Sequence, residues 1–153
     1  ALGDAMAFDG YVYEHLLPIK NREDIFGKQQ IMDADDQVTG NVERLLIGAT
    51  DISFDQVFGL VEAYRGIAYP AHIDKSTTSL LSNLGFVPPD SSFTCAEIST
   101  FDHLHQIQKE HPYFLQCKML SSSDAHYLED IREPDYQIYA KSRAAKDILE
   151  GLR

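Results

Sequence analysis

Basic residues are scarce in this chain: 13 Lys and Arg stand against 24 Asp and Glu, a formal net charge of −11 over 153 residues. That balance argues against a nucleic-acid partner, because a phosphate backbone demands clustered Lys and Arg. It leaves acidic groups that either form a solvated surface or concentrate divalent cations. Long apolar runs are missing too. No stretch approaches the roughly 20 residues of a membrane-spanning helix, so no membrane partner is expected. "ALGDAMAFDG" does not read as a signal peptide. Only two cysteines occur, Cys95 and Cys117, each inside an apolar, strand-like run. Two buried thiols fit a reducing compartment better than a disulfide framework, which makes the cytoplasm the expected location. Internal repeats and a Gly-rich phosphate loop are absent, and nothing reads as a Cys–His or nucleophilic-Ser site.

What is present is 44% hydrophobic content, enough for one domain spanning 1–153. Asp4 can cap a first helix, with Phe8, Tyr11, Val12 and Leu16 recurring at helical spacing until Pro18. A polar stretch follows, read as a hairpin and loop insertion over 19–43, with "QQIM" and "QVTG" flanking a turn. Asp33 and Asp35 hint at a calcium loop, but Val38 stands where that loop needs glycine and Arg44 where it needs glutamate. A turn is the better reading. Beyond residue 44 strands and helices alternate. "RLLIGA", "GIAYPA", "FTCAEIS", "LQCKML" and "YQIYA" read as strands. Ser53 with Gln56 opens one helix, which stops near Gly66; "TTSLLSNLG" forms another, closed by Gly85. Thr100 caps a helix bearing Phe101, Leu104 and Ile107, and Ser142 starts the last one. Apolar strands alternating with helices predict an α/β fold with a mostly parallel sheet.

Such sheets carry their chemistry at the carboxyl ends of the strands. His72 follows "GIAYPA", Glu97 falls late in "FTCAEIS", and Asp124 and His126 follow "CKMLSSS". Residues two apart on an extended backbone share a side, so Asp124 and His126 can face one pocket. Carboxylate oxygen with imidazole nitrogen suits Zn, Mn or Fe. His72 and Asp74 repeat the arrangement on a neighbouring strand end. The plainer alternative makes Asp124 a turn cap and His126 a satisfied surface histidine. Glu97 is open between metal ligand, acceptor for a ligand histidine's N–H, and carboxylate satisfied by backbone. Lys75 either meets an anionic substrate or is merely solvated. His103 and His105 look like a ligand pair, but on a helix residues two apart point in nearly opposite directions, so both read as surface histidines. His111 and His15 read the same way.

At "GIAYPAHIDKS" and "LSSSDAHYLEDI", and through "TTSLLSNLGFVPPD" between them, the chain resembles the PHP (polymerase and histidinol phosphatase) superfamily. It looks especially like the small bacterial members grouped with metal-dependent phosphoesterases. The resemblance implies a distorted, TIM-like β/α barrel holding a cluster of divalent metals. It also implies hydrolysis of a phosphate ester by metal-activated water. By position His72, Asp124 and His126 become metal ligands; a place for Glu97 behind them, and support of the chemistry and the substrate by Asp74 and Lys75, are readings of the residues alone. The family's opening HxH motif on a first strand has no counterpart here, and a closed barrel normally takes about 250 residues. The expectation is therefore an incomplete barrel that supplies part of a metal cluster for a small phosphorylated substrate. A homo-oligomer covering the open sheet edge would fit it. The alternative is a non-catalytic metal- or anion-binding or oligomerisation module derived from such a barrel. An amidohydrolase-like enzyme is a third reading.

Overall fold

The sequence periodicities become a mixed α/β structure, a computed structural model that describes residues 2–134 and 136–153. It divides into two units, Leu2–Gln56 and Val57–Arg153.

In the first unit, helix α1 (Leu2–Glu14) starts ahead of Asp4, which sits in the first turn, where its charge favours the helix N-terminus. The His15 ring stacks on Tyr11 at 4.0 Å, and its Nδ1–H donates to the Tyr11 carbonyl at 2.8 Å. A single-turn helix, α2 (Glu23–Phe26), precedes an antiparallel hairpin of β1 (Gln30–Met32) and β2 (Val38–Asn41). Asp33 Oδ1 accepts the amides of Asp35 and Gln37 at 2.9 Å each. Its carboxylate thus builds the turn. The strand expected over "RLLIGA" does not form. Arg44 makes only an isolated bridge with Lys20, and the Gly48 N–H closes a turn on the Leu45 carbonyl. Arg44 is committed elsewhere: its guanidinium donates to the carbonyls of Tyr13, Glu14 and Leu16 at 2.8, 3.2 and 3.3 Å, satisfying groups that the end of α1 leaves open.

Helix α3 (Phe54–Ala63) opens with the Gln56 side chain accepting from the Ser53 amide at 2.9 Å, half of the expected capping box. Its end differs from expectation. Arg65, and not Gly66, takes the left-handed conformation, with φ of 60°. The Gly66 N–H reaches back to the Val61 carbonyl at 2.9 Å. Glycine is still required there, since a Cβ would come within 2.8 Å of Val61 Cγ1.

The sheet of the second unit pairs β3 (Cys95–Ile98) with β4 (Lys118–Ser121) in parallel, Cys95 opposite Lys118 and Ile98 opposite Ser121. "GIAYPA" lies along β3 as an irregular edge. The Glu97 N–H donates to the Pro70 carbonyl at 2.9 Å, and the Glu97 carbonyl accepts from Ile73 at 2.8 Å. In a regular parallel pair those two partners stand two residues apart; here they are three apart, so an extra residue bulges at Ala71–His72. Helix α4 (Leu80–Leu84) carries a full Ser79–Ser82 capping box and ends at Gly85, φ 76°. A 3₁₀ turn, Phe101–His103, leads into α5 (Leu104–Glu110). "YQIYA" forms no strand; Tyr136 instead donates its hydroxyl to the Met119 carbonyl at 2.7 Å. Helix α6 (Ala145–Leu152) closes the chain, and its last carbonyls accept from Lys118 and the Cys95 thiol. Phe114, Ile98, Cys95 and Ala96 are fully buried, with Ile73, Phe93, Ile107, Met119 and Leu120 around them. Burial pushes the Cys117 thiol up to about 11, and the charge of Cys95 adds to it. The sheets form no closed barrel among the described residues, and no described helix is long and apolar enough to cross a membrane.

Candidate functional site

The turn after the edge segment is the organiser of the site. The Lys75 amide donates to the His72 carbonyl at 3.0 Å, closing a tight turn that swings Asp74 and Lys75 past the sheet's carboxyl edge. The buried hydroxyl of Ser79, the N-cap of α4, donates to the Lys75 carbonyl at 2.8 Å and fixes the far side. Asp74 then turns inward. Its Oδ1 accepts the Ser99 amide at the end of β3 at 2.7 Å, and its Oδ2 lies 2.9 Å from His103 Nδ1. Burial alone would raise the Asp74 pKa, but the hydrogen bonds from Ser99 and His103 outweigh it and hold the carboxyl below its ordinary range.

Lys75 reaches the other way and donates to Asp124 Oδ2. That hydrogen bond holds Asp124 below the usual carboxylate range; burial opposes it, and the charges of Lys75, His72 and His126 reinforce it. The expected ligands His72, Asp124 and His126 are thus electrostatic neighbours at the ends of the edge segment and β4. Two of them occupy an unusual backbone: His72 has φ of 32° and Asp124 of 50°. Left-handed residues other than glycine cost of order 1 kcal/mol or more and gather at functional sites. His72 Nδ1 is buried without a hydrogen-bond partner, whereas His126, on the surface, donates its Nδ1–H to the Asp124 carbonyl at 2.9 Å. Glu97 is half-buried in mid-strand. Tyr69 is raised first by burial and then by the Glu97 charge.

Three participants were not legible in the sequence. His103 is no idle surface histidine, because the 3₁₀ turn folds it back onto Asp74. Ser99 supplies the amide that orients that carboxylate. Arg132 clamps two strand ends together: it donates to the Ser99 carbonyl and to Ser121 Oγ at 3.1 Å each, and also to the Ser122 carbonyl. No local spacing signals any of these. Asp74, Lys75 and His103 open onto a groove of about 460 Å³, with Ile73, Leu81 and Ile107 as its apolar wall. A smaller pocket of about 120 Å³ lies between Arg132 and Ser121–Ser123.

The donor types fit a divalent cation, and the orphaned His72 Nδ1 fits one too. Their spacing is not that of an assembled centre, since no group of three or more His, Cys, Asp and Glu among the described residues could hold a metal ion. The Lys75 ammonium instead supplies Asp124 with its counter-charge. No family model, curated protein or solved structure matches this chain.

Proposed function

We propose that this chain carries part of a metal-dependent phosphoesterase site of the PHP kind, on a sheet derived from a β/α barrel. The observation that carries the reading is the meeting of His72, Lys75 and Asp124 at neighbouring strand ends, with two of the three expected ligands, His72 and Asp124, in left-handed backbone. His72, Asp124 and His126 would hold the ion, with Zn, Mn or Fe suited to that donor set. Such an ion supplies positive charge at the phosphoryl oxygens and acidifies water. Lys75, at the groove mouth, attracts the phosphate and releases Asp124 as it does so. Arg132, its donors committed to three strand-end oxygens, keeps the two ends at a fixed separation. The apolar wall of the groove shields the ester from water on one side.

A second reading has its own support. With Lys75 already on Asp124, the strand ends suit an anion better than a cation, which favours a non-catalytic anion-binding module. Turnover of a phosphomonoester panel with added Mn, Zn or Fe separates the two, alongside the metal content of the purified chain. The phosphoesterase reading expects turnover that falls about 100-fold in Asp124→Asn or His72→Ala, with metal retention falling in parallel. Phosphate binding with no turnover and no retained metal would establish the module instead.

A further inference from the structure

His103 is pinned on one side and open on the other. Its Nδ1 lies 2.9 Å from Asp74 Oδ2; the carboxylate side chain is 3% exposed and the imidazole 59%. The second carboxylate oxygen is held by the Ser99 amide at 2.7 Å, so Asp74 cannot turn away without stranding a backbone donor. A carboxylate accepting from Nδ1–H selects one tautomer and leaves Nε2 as the nitrogen that exchanges a proton. A solvated surface histidine needs no buried carboxylate behind it, because burying that charge costs free energy which only hydrogen bonds offset. The ring borders the 460 Å³ groove that also holds Lys75. Orienter, imidazole and groove therefore stand in the order a proton-transfer site needs.

We propose that Asp74 and His103 form an acid–base dyad, His103 being the catalytic residue that protonates a leaving alcohol and Asp74 the residue that positions it. The inference rests on the phosphoesterase reading and deepens it by naming the substrate class: a phosphomonoester of an aliphatic alcohol, a leaving group too basic to depart unprotonated. As a water oxygen bonds to phosphorus, the ester P–O bond breaks and its electron pair stays on the leaving oxygen. That oxygen takes the Nε2 proton and departs as the alcohol. The excess proton brought to the phosphate by the attacking water returns to Nε2 through solvent, so water is consumed and alcohol and phosphate are released. Asp74 is the charged group in contact with His103, and Lys75, Glu110 and His111 are the other charged or titratable residues lining the same groove.

The test compares glycerol 2-phosphate, whose leaving group needs a proton, with 4-nitrophenyl phosphate, whose leaving group does not. With Mn or Zn present, His103→Gln should lower kcat on glycerol 2-phosphate by about 100-fold or more and on 4-nitrophenyl phosphate by less than about tenfold. Asp74→Asn should follow the same asymmetry with a smaller loss. Nitrogen-15 NMR of the imidazoles gives a second readout: neutral His103 should carry its proton on Nδ1 in the wild type and lose that bias in Asp74→Asn. The exposed ring makes His103→Gln safe for folding, which circular dichroism checks. Equal losses on both esters, or a wild-type Nε2–H tautomer, would overturn the dyad and leave the phosphoesterase reading standing. Absence of wild-type turnover on either ester with Mn, Zn or Fe would overturn both.

Discussion

Among the described residues of the first unit, Leu16 alone is a buried apolar side chain, while Leu2, Met6, Ile25, Phe26, Ile47 and others lie exposed. The described residues of the second unit include ten buried apolar side chains, among them Phe93 and Phe114, whose rings pack at 6.1 Å. The two regions have similar secondary structure and different cohesion. In residues 2–56 the shape comes from polar contacts: the Arg44 guanidinium on three carbonyls, the Asp33 carboxylate on two amides, and the hairpin ladder. Each such bond nets about 1 kcal/mol, because water competes for the same groups. In residues 57–153 the parallel pair is sealed by apolar side chains, and its strand ends can carry charged groups in fixed places. The lesson is that Asp, His and Lys side chains keep fixed places only where a packed sheet holds their backbone.

The sharpest way to break the contrast is to truncate one aromatic in each unit. Phe114→Ala, in the fully buried position, should lose about 3–5 kcal/mol. Phe26→Ala, on a half-exposed ring, should stay within about 0.5 kcal/mol. Urea denaturation followed by circular dichroism measures both, and comparable losses would mean that the first unit has a core of its own. A middle-sized effect is expected at Asp74. Its folded pKa lies below the ordinary value, so its contribution to stability is complete above the unfolded pKa of about 3.9 and is lost as pH falls through the folded value. Asp74→Asn should therefore be destabilised by about 1–2 kcal/mol at pH 6, and the gap from wild type should close on acidification below pH 4. A gap independent of pH would contradict that. The smallest effect is a gain: Arg65→Gly removes a left-handed non-glycine residue and should stabilise the end of α3 by about 0.5–1 kcal/mol. A loss of melting temperature there would show that the arginine side chain matters more than its backbone.

Local chemistry was legible in the sequence; partners far apart in it were not. Gly85 and Thr100 announced their helix ends because capping is settled within four residues. Apolar continuity marked β3 and β4 as buried strands for the same reason. "RLLIGA" and "YQIYA" had the composition of strands but lacked a ladder partner, and pairing is decided by the fold. The bulge at Ala71–His72 depends on where Glu97 binds the edge, which no periodicity reveals. His103 lies on the surface as its spacing suggests, but it ends a 3₁₀ turn, and its carboxylate partner stands 29 positions away, beyond the reach of any local pattern. The strand-end residues His72, Asp74, Lys75 and Asp124 could be picked out because residue type and position along a strand are both local properties.

The hydrogen bond from Lys75 to Asp124 has a corollary for how this molecule lives with ions. Its carboxylate arrives with a tethered counter-ion, so the polypeptide does not depend on dissolved cations to neutralise that corner. Because the contact is partly open to solvent it is worth little, and exchanging the ammonium for a competitor costs little. On the metal-binding reading proposed above, loading would then follow ambient supply in a graded fashion, in a protein already folded.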